Sequence, residues 1–354
     1  MNSEKLHDII NRYENNLYFT NDAANNEIFK WKAVKCFRDA WFGNKKYDNF
    51  HDLIKEAFSE SSVLIDNSIT HPANGIVAMA EKESETVENL FRNVLFADDG
   101  GNINIRQNNA EKFVEECNLL CEKLFPKSYK YKQDMHSAIC YLSLYAPEEN
   151  FIYKYTPAKT FAEEVEYGRY IGSGSNFSLE DYYDLCEKIV LALREHGSLL
   201  DKHSALLSDE HYKDESLHLM AFDVIYCYSV YFIAQIIEEK HEAHEADILR
   251  KKNEIRETEE FIESCKEVNL IGVHVSHKKF GDGVIVNREG EEINNLFIDF
   301  SGRIIHFIIK KNLPQRPIFE DDESIMKLFD DYDAAKATQK NLLSELKKLE
   351  SENV

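Results

Sequence analysis

Hydrophobic and polar residues follow three different patterns along the chain, and each pattern predicts a different kind of segment. Up to about residue 233 the apolar residues recur every three or four positions, which is the spacing of one face of an α-helix. In residues 27–42 this apolar stripe consists of Ile28, Trp31, Val34, Phe37 and Trp41. Residues 217–237 are rich in aromatic and branched side chains and are predicted to be the helix around which the others pack. The pattern therefore predicts a helical domain over residues 1–233.

Two charged segments, residues 234–269 and 319–354, carry apolar residues at the spacing of a coiled coil. In the first segment Ile248, Ile255 and Ile262 recur every seven residues. The seam positions of the second segment are Ile325, Leu328, Tyr332, Ala335, Gln339, Leu342, Leu346 and Leu349. Because the two segments are of similar length, they are predicted to pair as a long antiparallel coiled-coil hairpin.

The segment between these helices, residues 270–318, alternates with a period of two, which is typical of short strands with one buried face. The residues predicted to face inward are Val273, Val275, Val284, Val286, Leu296, Ile298, Phe300, Ile304, His306 and Ile308. Gly281-Asp282-Gly283 and Ser301-Gly302 are predicted turns, because glycine adopts a positive φ readily. Four or five short strands this closely spaced favour a closed barrel, since closure removes exposed edges.

Two stretches of this β segment, HKKFGDGVI (residues 277–285) and IDFSGRIIHF (residues 298–307), carry a resemblance to a known domain. The segment resembles the Tudor-like (SH3-like) barrel at the C-terminus of UvrD/PcrA-type DNA helicases. The resemblance covers about an eighth of the chain and implies a fold more than a function, because such barrels bind both proteins and nucleic acids. The predicted fold class is therefore mainly α: a helical N-terminal body, a long antiparallel coiled-coil hairpin, and a small all-β SH3/Tudor-like barrel inserted at its tip.

A second resemblance lies in the helical body. Glu27, Phe29, Lys30, Trp31 and Trp41, followed by the stretch YLSLYAPEENFIYKY, are similar to a helical region of bacterial restriction and phage-defence proteins, including some with McrB-type motor domains. It spans roughly residues 10–200. The sequence contains no G-x-x-x-x-G-K-[ST] motif, so nucleotide hydrolysis of the motor type is not encoded.

Charge restricts where a nucleic acid would bind. The chain has 42 Lys and Arg against 64 Asp and Glu, a net charge of -22, and such a surface repels phosphate backbones. Residues 270–318 differ, with seven cations against five anions. Nucleic acid is therefore expected at the barrel only. The residues predicted to bind a partner or nucleic acid are His277, Lys278, Lys279, Phe280, Arg288, Arg303, Lys310 and Lys311.

The sequence predicts no catalytic residue, no metal site and no cofactor. Its seven cysteines show no zinc-finger pairing, and Cys117 and Cys121 are one helical turn apart. No nucleophile motif of the G-x-S-x-G type is present. With no signal peptide and no apolar run near eighteen residues, the expected location is the cytoplasm, without a membrane partner.

These observations favour a non-enzymatic interaction or scaffold protein, a component of a bacterial phage-defence or DNA-processing system, that presents the barrel to a protein partner. A nucleic-acid-binding accessory protein using the basic rim of the barrel is one alternative. An enzyme with a composite site in the helical body is another. Homo-oligomerisation through the coiled coil is also open, because the first helix has polar seam positions at His244, Lys251 and Thr258.

Overall fold

The computed structural model describes residues 1–352, so the last two residues of the predicted segment 319–354 lie outside the described residues. The chain forms two compact units, Met1–Ala234 and a second unit that begins at Gln235. Within the described range the protein is mainly helical and carries a small five-stranded antiparallel sheet near its C-terminus. The mainly-α prediction is therefore confirmed.

The first unit is built from short and medium-length helices. They are α1 Ser3–Asn15, α2 Leu17–Thr20, α3 Phe29–Phe42, α4 Phe50–Ala57, α5 Ser62–Ile65, α6 Pro72–Lys82, α7 Ser84–Leu90, α8 Ile103–Leu124, α9 Met135–Tyr145, α10 Tyr155–Glu164, α11 Leu179–Leu193, α12 Gly197–Ser204 and α13 His218–Cys227. One-turn π-helical segments follow α7 at Phe91–Leu95 and α13 at Tyr228–Phe232.

Side-chain caps explain where several of these helices begin. The side chain of Ser178 accepts a hydrogen bond from the backbone N–H of Asp181 at the start of α11 and caps that helix. Asp134 and Ser137 form a reciprocal capping box at the start of α9. The N-cap residue Asn102 accepts two backbone N–H groups at the start of α8. Each cap satisfies donors that have no partner within the helix.

Aromatic side chains fill much of the first unit's core. Phe91 lies at the centre of one group, with its ring centroid 4.9 Å from that of Phe113 and 5.4 Å from that of Tyr141. Trp31 and Phe37 of the predicted stripe on α3 are fully buried. Such rings contribute the largest apolar areas available to a core. The stripe is therefore a packing surface, as the spacing indicates.

The second unit contains the sheet and two long helices, the first of which begins two residues before the unit boundary at Gln235. The strands are β1 His274–His277, β2 Gly281–Arg288, β3 Asn295–Phe300, β4 Arg303–Ile308 and β5 Ile318–Phe319, and the helices are α14 Ile233–Glu267 and α15 Asp322–Ser351. The strand order is β4-β3-β2-β1-β5, and every neighbouring pair is antiparallel. Ser301 and Gly302 join β3 to β4 with φ of 53° and 91°, which is the predicted two-residue turn.

The predicted turn at Gly281–Gly283 is wrong, because these residues belong to β2. The turn before β2 consists of Lys278, Lys279 and Phe280. Gly283 serves packing: a Cβ there would lie 2.7 Å from Cδ1 of Phe300 and 2.8 Å from the carbonyl oxygen of Asp299. Glycine in this strand therefore allows a close approach by β3 rather than a reversal of the chain.

Contacts join α14, α15 and the sheet inside the second unit. Lys251 of α14 pairs with Glu345 of α15 at 3.0 Å, and Gln339 donates to Glu259 at 3.0 Å, so later residues of one helix meet earlier residues of the other. Ile262 of α14 and Phe329 of α15 belong to the same buried cluster as the inner face of the sheet. This cluster is the core of the second unit.

One helix within residues 1–352 is long and apolar enough, by length and composition alone, to cross a membrane. It runs from His218 to Glu267, and half of its qualifying window is buried within the protein. The core helix of a protein that does not enter a membrane can have the same length and apolar composition.

Candidate functional site

The eight predicted binding residues do not form one surface. Lys278, Lys279, Phe280 and Arg303 lie at the end of the sheet where the β1–β2 and β3–β4 turns meet. Arg288, Lys310 and Lys311 lie at or beyond the opposite end of β2 and β4. The six residues of β4 separate the two ends by about 17–20 Å at roughly 3.3 Å per residue.

Phe280 is the centre of the group at the turn end. The guanidinium carbon of Arg303 lies 5.4 Å from the centroid of the Phe280 ring, and Nζ of Lys279 lies 5.5 Å from it. Both distances are within the range of cation–π attraction. The ring is only half-buried, and Lys278 beside it is exposed. This turn end is therefore an aromatic ring flanked by cations.

His277 is not part of the exposed rim. Its ring is buried, and its Nε2 lies 2.7 Å from the carbonyl oxygen of Gln315 while its Nδ1 accepts the backbone N–H of Lys279 at 3.1 Å. Because Nδ1 accepts a hydrogen bond, Nε2 is the nitrogen that donates to the carbonyl oxygen of Gln315. Stacking on Phe280 at 4.7 Å completes the packing. His277 therefore holds the turn in place and offers no free nitrogen to a partner.

Two of the three basic residues at the other end have internal partners. Arg288 donates to the carbonyl oxygen of Lys266 at 2.8 Å, in the last turn of α14, where cations stabilise a helix end. Lys311 pairs with Asp330 of α15 at 2.9 Å. Lys310 is exposed, and no carboxylate of the described residues forms an ion pair with it. Among these three, Lys310 is the side chain most available to a partner.

The outer face of the sheet carries apolar side chains that the sequence pattern assigned to the core. Ile304 is 61% exposed and Ile308 is 53% exposed. Ile305 and Phe307 instead face inward, because β4 pairs Ile305 with the buried Ile298 of β3. The prediction of an inward-facing Ile304, His306 and Ile308 is therefore wrong.

Phe297 of β3 and Val286 of β2 extend this outer face. Phe297 pairs across the strands with His306, and the two rings stack with centroids 4.7 Å apart. Val286 is 39% exposed, so its predicted inward orientation is also wrong. We call Val286, Phe297, Ile304, His306 and Ile308 the outer patch. Exposed apolar surface of this kind marks interaction sites in soluble proteins.

The segment that contains β4 also has an unusual charge. Ser301–Phe319 includes four cations and no Asp or Glu, in a chain whose net charge is -22. Arg303 and Lys310 have no ion-pair partner within residues 1–352, whereas Arg316 pairs with Asp322. The outer patch is therefore flanked by unpaired positive charge at both ends of β4.

The helical unit contains a buried charged cluster that the sequence did not reveal. The ammonium group of Lys30 donates to the carboxylates of Glu27 and Asp223, and Tyr13 donates to Asp223 at 2.6 Å. Tyr231 donates to Glu27. Burial alone would lower the pKa of Lys30, but the two carboxylates outweigh it and raise that pKa above its usual range. The charged groups of the cluster are buried and hydrogen-bonded to one another, and only Tyr231 at its edge is half-buried.

A cavity of about 470 Å³ in the same unit is lined in part by Trp31, His203 and Met220. Nε1 of Trp31 and Nε2 of His203 are buried and have no hydrogen-bond partner among the described residues. Burial lowers the pKa of His203 to about 4, so its ring is neutral at pH 7. Within residues 1–352 no cluster of His, Cys, Asp and Glu is arranged to hold a metal.

The two units define a mainly helical protein with a small antiparallel sheet in its C-terminal unit. Compared with known protein families, curated proteins and solved structures, the chain matches none. The resemblances to a helicase barrel and to the McrB-associated helical region stay predictions. The function is therefore inferred from the chain's own residues.

Proposed function

We propose that this chain is a non-enzymatic interaction protein that presents the sheet of its second unit to a protein partner. The two sequence resemblances support a setting in a bacterial phage-defence or DNA-processing system. In this proposal the second unit is a stalk with a binding head, and the first unit is a separate helical body.

The stalk in this proposal is an antiparallel coiled coil of α14 and α15. Its support is that every proposed seam residue of α15 is buried or half-buried, while most of the intervening residues are exposed. Lys252 of α14 also pairs with Glu350 of α15 at 3.0 Å, which is consistent with pairing over several helical turns. Ile255 and Ile262 supply the matching apolar positions on α14.

The head in this proposal is an SH3-like barrel. Its support is the strand order, in which β1 to β4 form a meander and β5 returns to pair with β1. The register shift between Ile285 and Asn287 in β2 is a bulge, which is a common device for bending a sheet. Such a bend gives the sheet an inner face for the core and an outer face for a partner.

The observation that carries the proposed function is the outer patch. Ile304 and Ile308 remain largely exposed although apolar side chains of this size gain about 1.5–3 kcal/mol when buried. They are adjacent to the stacked pair of Phe297 and His306. A protein partner that covers this surface would recover that free energy, whereas a phosphate backbone would not.

Site-specific photo-cross-linking in the native host tests this proposal. A photoreactive phenylalanine analogue replaces Ile304 in one variant and Leu249 of α14 in a matched control, since each native side chain is 61% exposed. The Ile304 variant is expected to form one covalent adduct with a specific protein, both before and after nuclease treatment. Adduct formation at the two positions alike, or at neither, contradicts the proposal.

A second candidate function, nucleic-acid binding, is favoured by the turn end of the sheet. There the half-buried ring of Phe280 is flanked by Lys279 and Arg303, and ring–base stacking beside cations is a common way to hold single-stranded nucleic acid. Lys278 adds an exposed positive charge. The remaining surface is too acidic to take part.

Salt dependence separates the two candidates. If the turn end binds a fluorescent single-stranded oligonucleotide, the affinity is expected to fall steeply between 50 and 200 mM salt, and replacement of Lys279 and Arg303 by glutamine should flatten that slope. A partner bound mainly through the outer patch would keep most of its affinity over the same range. Absence of oligonucleotide binding at low salt eliminates the second candidate.

A further inference from the structure

Strand β4 is an edge of the sheet with an open row of backbone hydrogen-bonding groups. The N–H of Ile309 donates to the carbonyl oxygen of Asn294, which fixes the phase of the β3–β4 ladder. Since hydrogen-bonded residues alternate along an antiparallel pair, Arg303, Ile305 and Phe307 bond to β3. The N–H and C=O groups of the residues between them face away from the sheet. Those residues are Ile304, His306 and Ile308.

Proteins usually protect such an edge, but this one has no protection of the usual kinds. The residues from Ile304 to Ile309 include no proline and no Lys, Arg, Asp or Glu, and the β3–β4 register runs without a bulge. The opposite edge of the sheet differs, because β5 is only two residues long and leads directly into α15. An open, six-residue apolar edge is a template for one more strand.

We propose that the edge of β4 binds an extended segment of a partner protein as an additional strand, and that this segment has apolar residues at alternate positions and acidic residues at both ends. The inference rests on the proposed function, since it specifies how the same sheet binds its protein partner. The apolar residues of the segment would lie beside Ile304 and Ile308 on the outer face.

Charge determines the ends of the segment. Arg303 begins β4 and Lys310 follows it, and neither has an ion-pair partner within residues 1–352. Acidic side chains about seven positions apart in the bound segment would reach both cations, which gives a segment of about eight residues. Because Arg303 and Lys310 make both ends of the β4 edge positive, charge selects a segment with an acidic residue at each end. Charge does not determine whether the segment runs parallel or antiparallel to β4, so its apolar side chains decide the direction.

The same charges argue against a second copy of this chain as the occupant. If two β4 edges paired antiparallel about His306, Arg303 of each copy would lie beside Lys310 of the other. Arg303 and Lys310 would then occupy adjacent rather than directly opposite positions, but the like charges gathered at each end of the joined strands still repel each other. A nucleic acid is also a poor fit, because alternating N–H and C=O groups match a peptide backbone and not a chain of phosphates.

Synthetic peptides of eight residues, with aspartate at both ends and alternating valine and threonine between, test the proposal on the full-length protein. Two further series carry N-methyl groups, one on the odd and one on the even backbone positions. Binding by calorimetry is expected to weaken at least about tenfold in one series and by less than about twofold in the other, because only one set of N–H groups faces β4. Lysine-ended peptides are expected to bind at least about tenfold more weakly than aspartate-ended ones.

Two variants of one residue test the protein side. His306→Pro removes an outward N–H that β3 does not use, so the β3–β4 ladder is retained while strand addition is blocked. His306→Thr keeps that N–H and serves as the matched control. Peptide affinity should fall at least about tenfold in the first variant and less than about threefold in the second. Hydrogen exchange of the β3 amides checks that the sheet is folded in both variants. The N-methyl peptides are tested on the unmodified protein, so their result does not depend on how well a variant folds.

The outcomes separate this inference from the proposed function. Equal weakening by both N-methyl series, or no peptide binding while the Ile304 cross-linker still captures a partner, overturns strand addition and leaves the interaction function standing. No peptide binding and no captured partner overturns both. A concentration-dependent dimer that His306→Pro abolishes and His306→Thr retains would assign the edge to a second copy and overturn the proposed occupant.

Discussion

Lys30 and Asp223 are 193 residues apart in the sequence, yet they form an ion pair in which each side chain is only 1% exposed. Glu27, one turn before Lys30, supplies a second buried carboxylate. The hydroxyl groups of Tyr13 and Tyr231 each donate a hydrogen bond to one of these carboxylates. The pair connects α3 to α13 through the core of the helical unit. Removing one partner from such a cluster leaves an uncompensated buried charge, which is far more costly than losing an exposed pair.

The replacement Lys30→Met is therefore expected to lower the free energy of unfolding of the first unit by about 3–5 kcal/mol. Urea denaturation followed by tryptophan fluorescence measures this change, since Trp31 is the neighbouring residue. Lys35→Met on the same helix is the matched control, because Lys35 pairs with Asp39 at an exposed site and its loss is expected to cost less than about 1 kcal/mol.

A double variant, Lys30→Met with Asp223→Asn, gives a second test of the same cluster. It removes one of the two carboxylates left without a cation and is expected to recover part of the stability lost in Lys30→Met. Equal losses for Lys30→Met and Lys35→Met, or a double variant less stable than Lys30→Met, would show that the buried charges do not control this stability.

The pH dependence of stability is expected to involve His203. Burial lowers the pKa of His203 in the folded protein to about 4, although Asp223 partly opposes this shift and His211 adds to it. The unfolded chain has a histidine pKa of about 6.5 and therefore binds more protons than the folded chain between pH 6.5 and pH 4. The stability contributed by neutral His203 is thus present above pH 6.5 and is lost as the pH falls towards 4.

For this one residue the loss should reach about 2 kcal/mol at pH 5 relative to pH 7.5. Urea denaturation at both pH values is expected to show a smaller acid-induced loss in His203→Phe than in the unmodified protein. His241→Phe on the exposed face of α14 should leave the loss unchanged. An unchanged loss in His203→Phe would mean that His203 is already protonated, or free to be protonated, in the folded state.

Local patterns in the sequence were sufficient for the mainly helical fold class and for a small sheet near the C-terminus. The stripe that contains Trp31 and Phe37 is buried as the helical spacing indicates, and Ser178 caps α11. Each of these two signals consists of residues that are close together in the sequence, so neither depends on contacts with distant parts of the chain. The β3–β4 turn at Ser301-Gly302 follows for the same reason, since two adjacent residues determine it.

The hydrophobic pattern could not predict which face of β4 is buried. Residues 304, 305, 307, 308 and 309 are all apolar, so both faces of the strand satisfy a period of two. A shift of one residue exchanges the faces, and only pairing with the clearly alternating β3 decides between them. The partner of Lys30 was hidden for a different reason, because nothing near a lysine in the sequence indicates a carboxylate 193 positions away.

Replacement of Gly283 by alanine is expected to destabilise the sheet. The added Cβ would lie 2.7 Å from Cδ1 of Phe300 and 2.8 Å from the carbonyl oxygen of Asp299, both shorter than ordinary contacts. Overpacking of this kind costs about 1–3 kcal/mol. Hydrogen exchange of β2 and β3 amides is expected to accelerate about fivefold or more, while exchange in the helical unit is unchanged.

Gly168→Ala is the matched control for this prediction, because a Cβ at Gly168 meets no atom within 4 Å and its φ is not positive. It is expected to leave the sheet amides unchanged. Sheet amides that exchange at the same rate in Gly283→Ala and in the unmodified protein would show that β3 can move aside without cost.

Chemical cross-linking tests the antiparallel pairing of α14 and α15. Lys252 and Glu350 form an ion pair at 3.0 Å, so cysteines in their places should be joined by a short bismaleimide within one chain. Cys36 is replaced by serine first, because it is the one cysteine among the described residues that is not buried. The control pair, Lys252→Cys with Lys340→Cys, places the second thiol ten residues away, or about 15 Å along the helix, and should react far less.

The mass of the cross-linked product also shows whether the apolar seam of α14 is covered by α15 of the same chain or of a second copy. An intramolecular product that is specific to the 252–350 pair means that α15 covers α14 within one chain. A product of twice the mass means that the same two surfaces meet between copies, so the helices would join two chains rather than form a stalk in one. Equal yields from the 252–350 and 252–340 pairs would contradict a fixed pairing of either kind, because a defined seam holds one residue of α15, not two, opposite Lys252.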